Sequence, residues 1–147
     1  MNRHEAREQA FCIIFESEFL QDYEVDEIYN NALSIRELKD NPYMHQLVYG
    51  VIENINEISE LIDKYSVGWK VKRISRVSRT ILLLSLYEMR EMTDTPIVVS
   101  INEAVELAKK YDTDEAKGFV NGILNSVARK EFAERFEAEQ NRPKADK

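Results

Sequence analysis

The stretch from Ile74 to Met92 constrains the fold more than any other part of the chain. It contains Ile81-Leu82-Leu83-Leu84 followed by Leu86-Tyr87, and a helix that is apolar on nearly every side must be enclosed by other elements. The run falls far short of the ~20 apolar residues needed to cross a bilayer, so the enclosure has to be protein. This predicts the central helix of a bundle. Four Gly and three Pro in 147 residues leave few turn signals, which favours long helices over hairpins. No segment sustains the alternation expected of a half-buried strand. The expected class is all-α.

Around this centre the apolar residues keep a helical beat. Ala6, Ala10, Ile13, Ile14, Ser17 and Leu20 predict a helix from about Arg3 to Leu20, with Phe11, Phe15 and Phe19 forming a second stripe. A shorter helix carries Ile28, Leu33 and Leu38. Asn41-Pro42 has the form of a helix start, with Asn as N-cap and Pro at the first helical position. From there Met44 to Ile62 predicts one helix of about six turns. Gly68 and Trp69 mark a break, and Thr93 to Pro96 a loop. Ser100-Ile101-Asn102-Glu103 matches a capping box, and Asp112 to Glu115 supplies another helix start. Residues 1–135 form one helical domain on this reading. Residues 136–147 form a charged C-terminal tail, expected to be disordered, with Gln140 to Lys147 frayed.

The single cysteine, Cys12, excludes an intramolecular disulfide and is expected to be a small core residue. The N-terminal residues lack the apolar core of a signal peptide, so a cytoplasmic protein is expected. The net charge is −7, but charge is unevenly spread. From Glu8 to Ile35 there are seven acids and no Lys or Arg; from Lys64 to Arg79 there are six bases and no acid. Phosphate responds to the local field, so a basic patch on an acidic chain is a candidate footprint for nucleic acid. A merely solvated basic face fits the charge pattern equally well.

Signatures of catalysis are missing: no Walker A loop, no G-x-S-x-G, no H-E-x-x-H. One Cys and two distant His, His4 and His45, are too few soft ligands for a zinc site, and no cofactor is implied. Glu88 has the simplest reading as an ion-pair partner on the buried helix, and Glu103 as the capping-box residue. On a helix Lys72, Arg76 and Arg79 share a face, with Arg73 beside them, and Arg offers forked donors suited to phosphate. Arg3 and Arg7 share a face at the other end of the sequence, with His4 between them. Phe119, beside Lys117 and Gly118, is a candidate stacking platform for an unpaired base and is expected to be partly exposed; as core it would pack with Val120, Ile123 and Leu124.

Ala6-Arg7-Glu8-Gln9-Ala10-Phe11, Leu86-Tyr87-Glu88-Met89, Pro96, the run Ile101-Asn102-Glu103-Ala104-Val105-Glu106-Leu107-Ala108-Lys109 and Phe119-Val120-Asn121-Gly122-Ile123-Leu124 together resemble the NusB transcription antitermination family. The resemblance covers Arg3 to about Arg129. Some ribosomal RNA cytosine methyltransferases share it in an N-terminal region, ahead of a large catalytic domain; the free-standing form is the expected one here. The resemblance implies two small, roughly perpendicular three-helix bundles in one domain. It implies binding of boxA RNA in ribosomal transcripts, together with the small-subunit ribosomal protein NusE, so that the elongating RNA polymerase passes terminators.

Carried over by residue, the resemblance places RNA contacts at Arg3, His4, Arg7, Arg79, Phe119 and Glu115, to which the basic stripe adds Arg76. It places the NusE-facing surface around Phe15 and Ser78. His4 and Glu5 stand where many members carry Arg, and Ser78 where some carry an acid. The free protein is expected to be a monomer or homodimer. The competing reading is a helical interaction module that binds no RNA and homodimerises through the same face.

Overall fold

The computed structural model describes residues 1–68 and 74–141. Among the described residues there are eight helices and no strand: α1 (Arg3–Ser17), α2 (Val25–Ile35), α3 (Pro42–Glu53), α4 (Ile55–Ser66), α5 (Arg76–Glu91), α6 (Ile97–Tyr111), α7 (Asp114–Glu131) and α8 (Ala133–Gln140). The all-α expectation holds. Trp69, Lys70, Lys72, Arg73 and residues 142–147, which include most of the frayed tail, lie outside the described residues.

Helix α5 is the axis of the molecule and touches α1, α3, α4, α6 and α7. Every residue from Thr80 to Met89 is buried, with Ile81 to Leu86 among the most enclosed side chains. Its polar members are spent inside: Ser85 donates to the Ser100 carbonyl at 3.2 Å. On one side α1 packs on α3, with α2 lying on both; on the other α6 packs on α5 and α7, and α4 meets α5 and α7. The helices thus form two groups that share α5, the second enlarged by α8 on α7.

Local chemistry sets most of the starts. Asn2 caps α1 by accepting from the Glu5 N–H at 2.8 Å, Asn41 caps α3 by accepting from Met44 at 3.0 Å, and Ser75 caps α5 by accepting from Ser78 at 3.0 Å. Each satisfies a donor that a helix start leaves open.

Four expectations need correction. The six-turn helix from Met44 to Ile62 is two helices, α3 and α4, divided at Asn54, whose side chain donates to the Gly50 carbonyl at 2.8 Å. The apolar rhythm runs through the break because both helices bury the same side against the core. The capping box is not one. Helix α6 begins a turn earlier, after Pro96, and the Ile97 N–H is satisfied at 2.7 Å by Glu139 of α8. Ser100 therefore lies inside the helix, buried. Next, the tail expected from residue 136 starts later: Phe136 is buried on α8, and Arg135 donates to the Met89 carbonyl at 2.6 Å. Lastly, Cys12 is only half-buried, at the edge of the core.

Gly50 is a close-approach glycine. A Cβ at this position would overlap the ring of Tyr87, which crosses α3 at that point. Gly50→Ala is expected to cost about 1–3 kcal/mol through overpacking, despite alanine's better helix propensity. Chemical denaturation measures it, and a stabilised variant would show that Tyr87 swings clear freely.

Candidate nucleic-acid interface

Helix α1 projects its first turn beyond the core, so Arg3 and His4 are exposed while Ala6 and Arg7 are already buried. The Arg3 guanidinium lies 4.5 Å from the centre of the Tyr43 ring and donates to Asp94 at 2.8 Å and Thr95 at 3.2 Å. That hydrogen bond holds the Asp94 carboxyl below its ordinary range. His4 Nδ1 lies 2.6 Å from Glu103.

Arg7 does not join them at the surface. It is 3% exposed, and its Nε donates to Glu88 at 2.7 Å. Glu88 is fully buried on α5 and also accepts from Ser100 at 2.7 Å and from the Tyr43 hydroxyl. Tyr43 further contacts Thr95 at 3.1 Å and receives an Arg7 N–H at 3.2 Å. Burial, and next the bond to Glu88, push the Tyr43 hydroxyl up to about 12. The expected ion-pair role of Glu88 holds, and its partner is Arg7. Glu103, freed from capping, faces His4 and lies 3.6 Å from Arg7.

The other candidates gather around the start of α5, at the far end of α1. Arg76 is exposed, lies 5.1 Å from the centre of the Phe19 ring and pairs with Glu18 at 3.6 Å. Arg79 is half-buried and pairs with Asp63 at 3.4 Å. Phe15 is half-buried between Phe11 and Phe19, with ring centres 6.2 and 5.6 Å away. Fifteen residues at about 1.5 Å each put this end roughly 22 Å from Arg3. The structure thus makes two clusters of the candidates, not one.

Two of them differ from expectation. Phe119 is 6% exposed and belongs to the core, contrary to the expected rim position. Its helix packs closely on α5 and α6, so the first turns of α7 are covered by neighbours as well as by their own backbone. Only the edge of the ring reaches a small cleft lined by Ile74, Ser78, Asp112 and the exposed Glu115. Ser78, expected on a partner-facing surface, is buried and donates to Asp112 at 2.6 Å, as does Ser75. Burial works to raise the Asp112 pKa. The two hydroxyls and the Thr113 N–H outweigh it and hold the carboxyl below the usual value. A depressed carboxylate stabilises the fold at neutral pH and loses that contribution as pH falls through the folded-state value.

Sequence reasoning missed the groups that hold these cations, namely Tyr43, Asp94, Thr95 and Asp112, because all lie far away along the chain. It also missed Lys110 and Tyr111 at the end of α6, which bridge to Glu8 of α1. Among the described residues no group of three or more His, Cys, Asp or Glu is placed to hold a metal ion, and no helix is long and apolar enough to span a membrane.

Comparison with known proteins bears on the whole of this surface. The NusB family model matches residues 4–129. The transcription antitermination protein NusB of Bacillus subtilis (strain 168) is 43% identical over 127 residues, 86% of this chain and 95% of that protein. Its counterpart in Acetivibrio thermocellus is 44% identical over 131 residues, 88% of this chain and 90% of that one. Among solved structures, T. maritima NusB superposes with a TM-score of 0.79 at 34% identity, covering 93% of this chain and 98% of that one. A structure described as antitermination factors NusB and NusE in complex with dsRNA gives 0.73 at 25% identity, covering 88% and 98%. On this evidence the chain belongs to the NusB family.

Proposed function

We propose that this chain is a transcription antitermination factor, acting in the cytoplasm by binding and not by catalysis. It holds boxA-type single-stranded RNA of ribosomal transcripts together with NusE, so that RNA polymerase reads through terminators. The observation that carries this reading is the match, along most of both chains, to transcription antitermination proteins of the same fold. The neighbour described with NusE and dsRNA supports the choice of partners.

The surface chemistry supplies the physical account. Arg3, Arg76 and Arg79 each sit against an acid, and such exposed pairs are worth only ~0–1 kcal/mol. A phosphate brings a full charge and competes well for a guanidinium held so weakly. Lys117, exposed on the first turns of α7, makes no ion pair among the described residues and adds a cation beside Glu115. An acidic protein can therefore bind RNA by exchanging its own carboxylates for phosphates.

A salt series tests this. For a single strand, log K against log salt should fall by about 0.7 for each phosphate neutralised. Arg79→Ala should weaken binding and flatten the slope by roughly one such contact. Asp63→Asn, which releases Arg79, should strengthen binding. Identical slopes in all three proteins would leave the α5 cations as a solvated face. Running the duplex in parallel shows which form of RNA is preferred.

A further inference from the structure

We propose that Tyr111, with Lys110 beside it, is a second stacking platform for an unpaired base of the bound RNA, placed between the two clusters of candidate contacts. The inference rests on the RNA-binding reading above and adds to it the route of the strand.

Helices α1 and α6 run side by side in the same direction. His4 meets Glu103, Glu8 meets Lys110 at 2.5 Å, and Cys12 Sγ lies 4.0 Å from the Tyr111 hydroxyl. Along this seam Tyr111 lies about 12 Å beyond Glu103, eight residues at ~1.5 Å each. Its chain neighbour Asp112 lines the cleft that holds Glu115 and the edge of Phe119. A strand passing from Arg3 and His4 to that cleft along the seam crosses Tyr111.

The side chain is built for that position. Phe19, Tyr23 and Tyr111 are the exposed Phe and Tyr side chains among the described residues, and only Tyr111 lies on this seam. It is 37% exposed, and its ring rests on the buried Phe11 with centres 5.0 Å apart. The hydroxyl donates to Glu8 at 3.0 Å, which fixes the ring while leaving part of it open. Lys110 Nζ lies 5.4 Å from the ring centre, within reach of a phosphate flanking a stacked base. A rigidly backed aromatic next to a cation is the arrangement that holds single-stranded RNA without demanding one base. Glu8 is the competing element: it occupies Lys110 until a phosphate takes its place.

The simpler role for the same contacts is a clamp between α1 and α6. The two roles separate by measurement on the full chain with a short boxA-type single strand. Tyr111→Phe keeps the ring and should bind within about 2-fold of the native protein; Tyr111→Leu should bind roughly 5- to 150-fold more weakly at an unchanged melting temperature. Glu8→Gln keeps an acceptor for the hydroxyl but frees Lys110, and should bind up to ~5-fold more tightly. In the native protein, a 5-iodouridine strand should photo-crosslink to Tyr111, a readout that needs no variant. Tyr111→Leu binding like the native protein, or no crosslink at Tyr111 while RNA is bound, overturns the platform alone. A native protein that binds no RNA, with or without NusE, overturns the function proposed above and this inference with it.

Discussion

Replacing Glu88 by alanine is expected to destabilise the protein by about 3–5 kcal/mol, the usual cost of stripping one partner from a buried ion pair. Glu88 is fully enclosed on α5 and accepts from Arg7, Tyr43 and Ser100, so three elements lose a shared acceptor at once. The remaining guanidinium of Arg7 would be left in the interior, with only Glu103 at 3.6 Å to balance it. Glu88→Gln preserves the shape and an acceptor but not the charge, and should fall between alanine and the native protein. The double variant Arg7→Met with Glu88→Leu removes both charges and should recover most of the loss, since well-packed apolar residues replace buried pairs at little cost. Denaturant unfolding of the four proteins gives the cycle. A loss below about 1 kcal/mol for Glu88→Ala would mean that water reaches the pair. The network also has a functional side: Tyr43, whose hydroxyl binds Glu88, supports Arg3 through its ring.

Phe119→Ala should cost about 3–5 kcal/mol in stability, the range for emptying a buried aromatic site. The ring lies in the core with Val120, Ile123 and Leu124 of its own helix, and α7 packs on both α5 and α6. RNA binding by the fraction that remains folded should change little. A ring that stacks on a base and carries no packing would give the opposite result: ~1–3 kcal/mol lost in binding, with the melting temperature unmoved. Measuring both quantities on one variant decides between them.

The contrast between these two residues shows what was legible in the sequence. Glu88 stands in an all-apolar helix, so its need for a buried partner was evident. Which partner it takes was not, because Arg7 lies 81 residues away and reads locally as an exposed N-terminal cation. Phe119 follows Lys117 and Gly118 at a helix start, a context that suggests exposure. Its burial comes from neighbouring helices that no local pattern reveals. The same holds for α6: Ser100 and Glu103 reproduce the spacing of a capping box, while the real start depends on Glu139 of α8. Periodicity found α5 and the cap at Asn41 without difficulty. It passed over the break at Asn54, where the apolar face continues through the turn. The positions of the surface cations were readable; the carboxylates that hold them were not.

The central claim is that this acidic helical protein recognises boxA-type RNA together with NusE. The most direct measurement is the affinity of the full chain for a short boxA-type single strand and for a scrambled strand of equal length and composition, each with and without NusE, at one fixed salt concentration. The account predicts tighter binding to the boxA-type strand and a further gain when NusE is present. Equal affinity for the two strands under both conditions would contradict it.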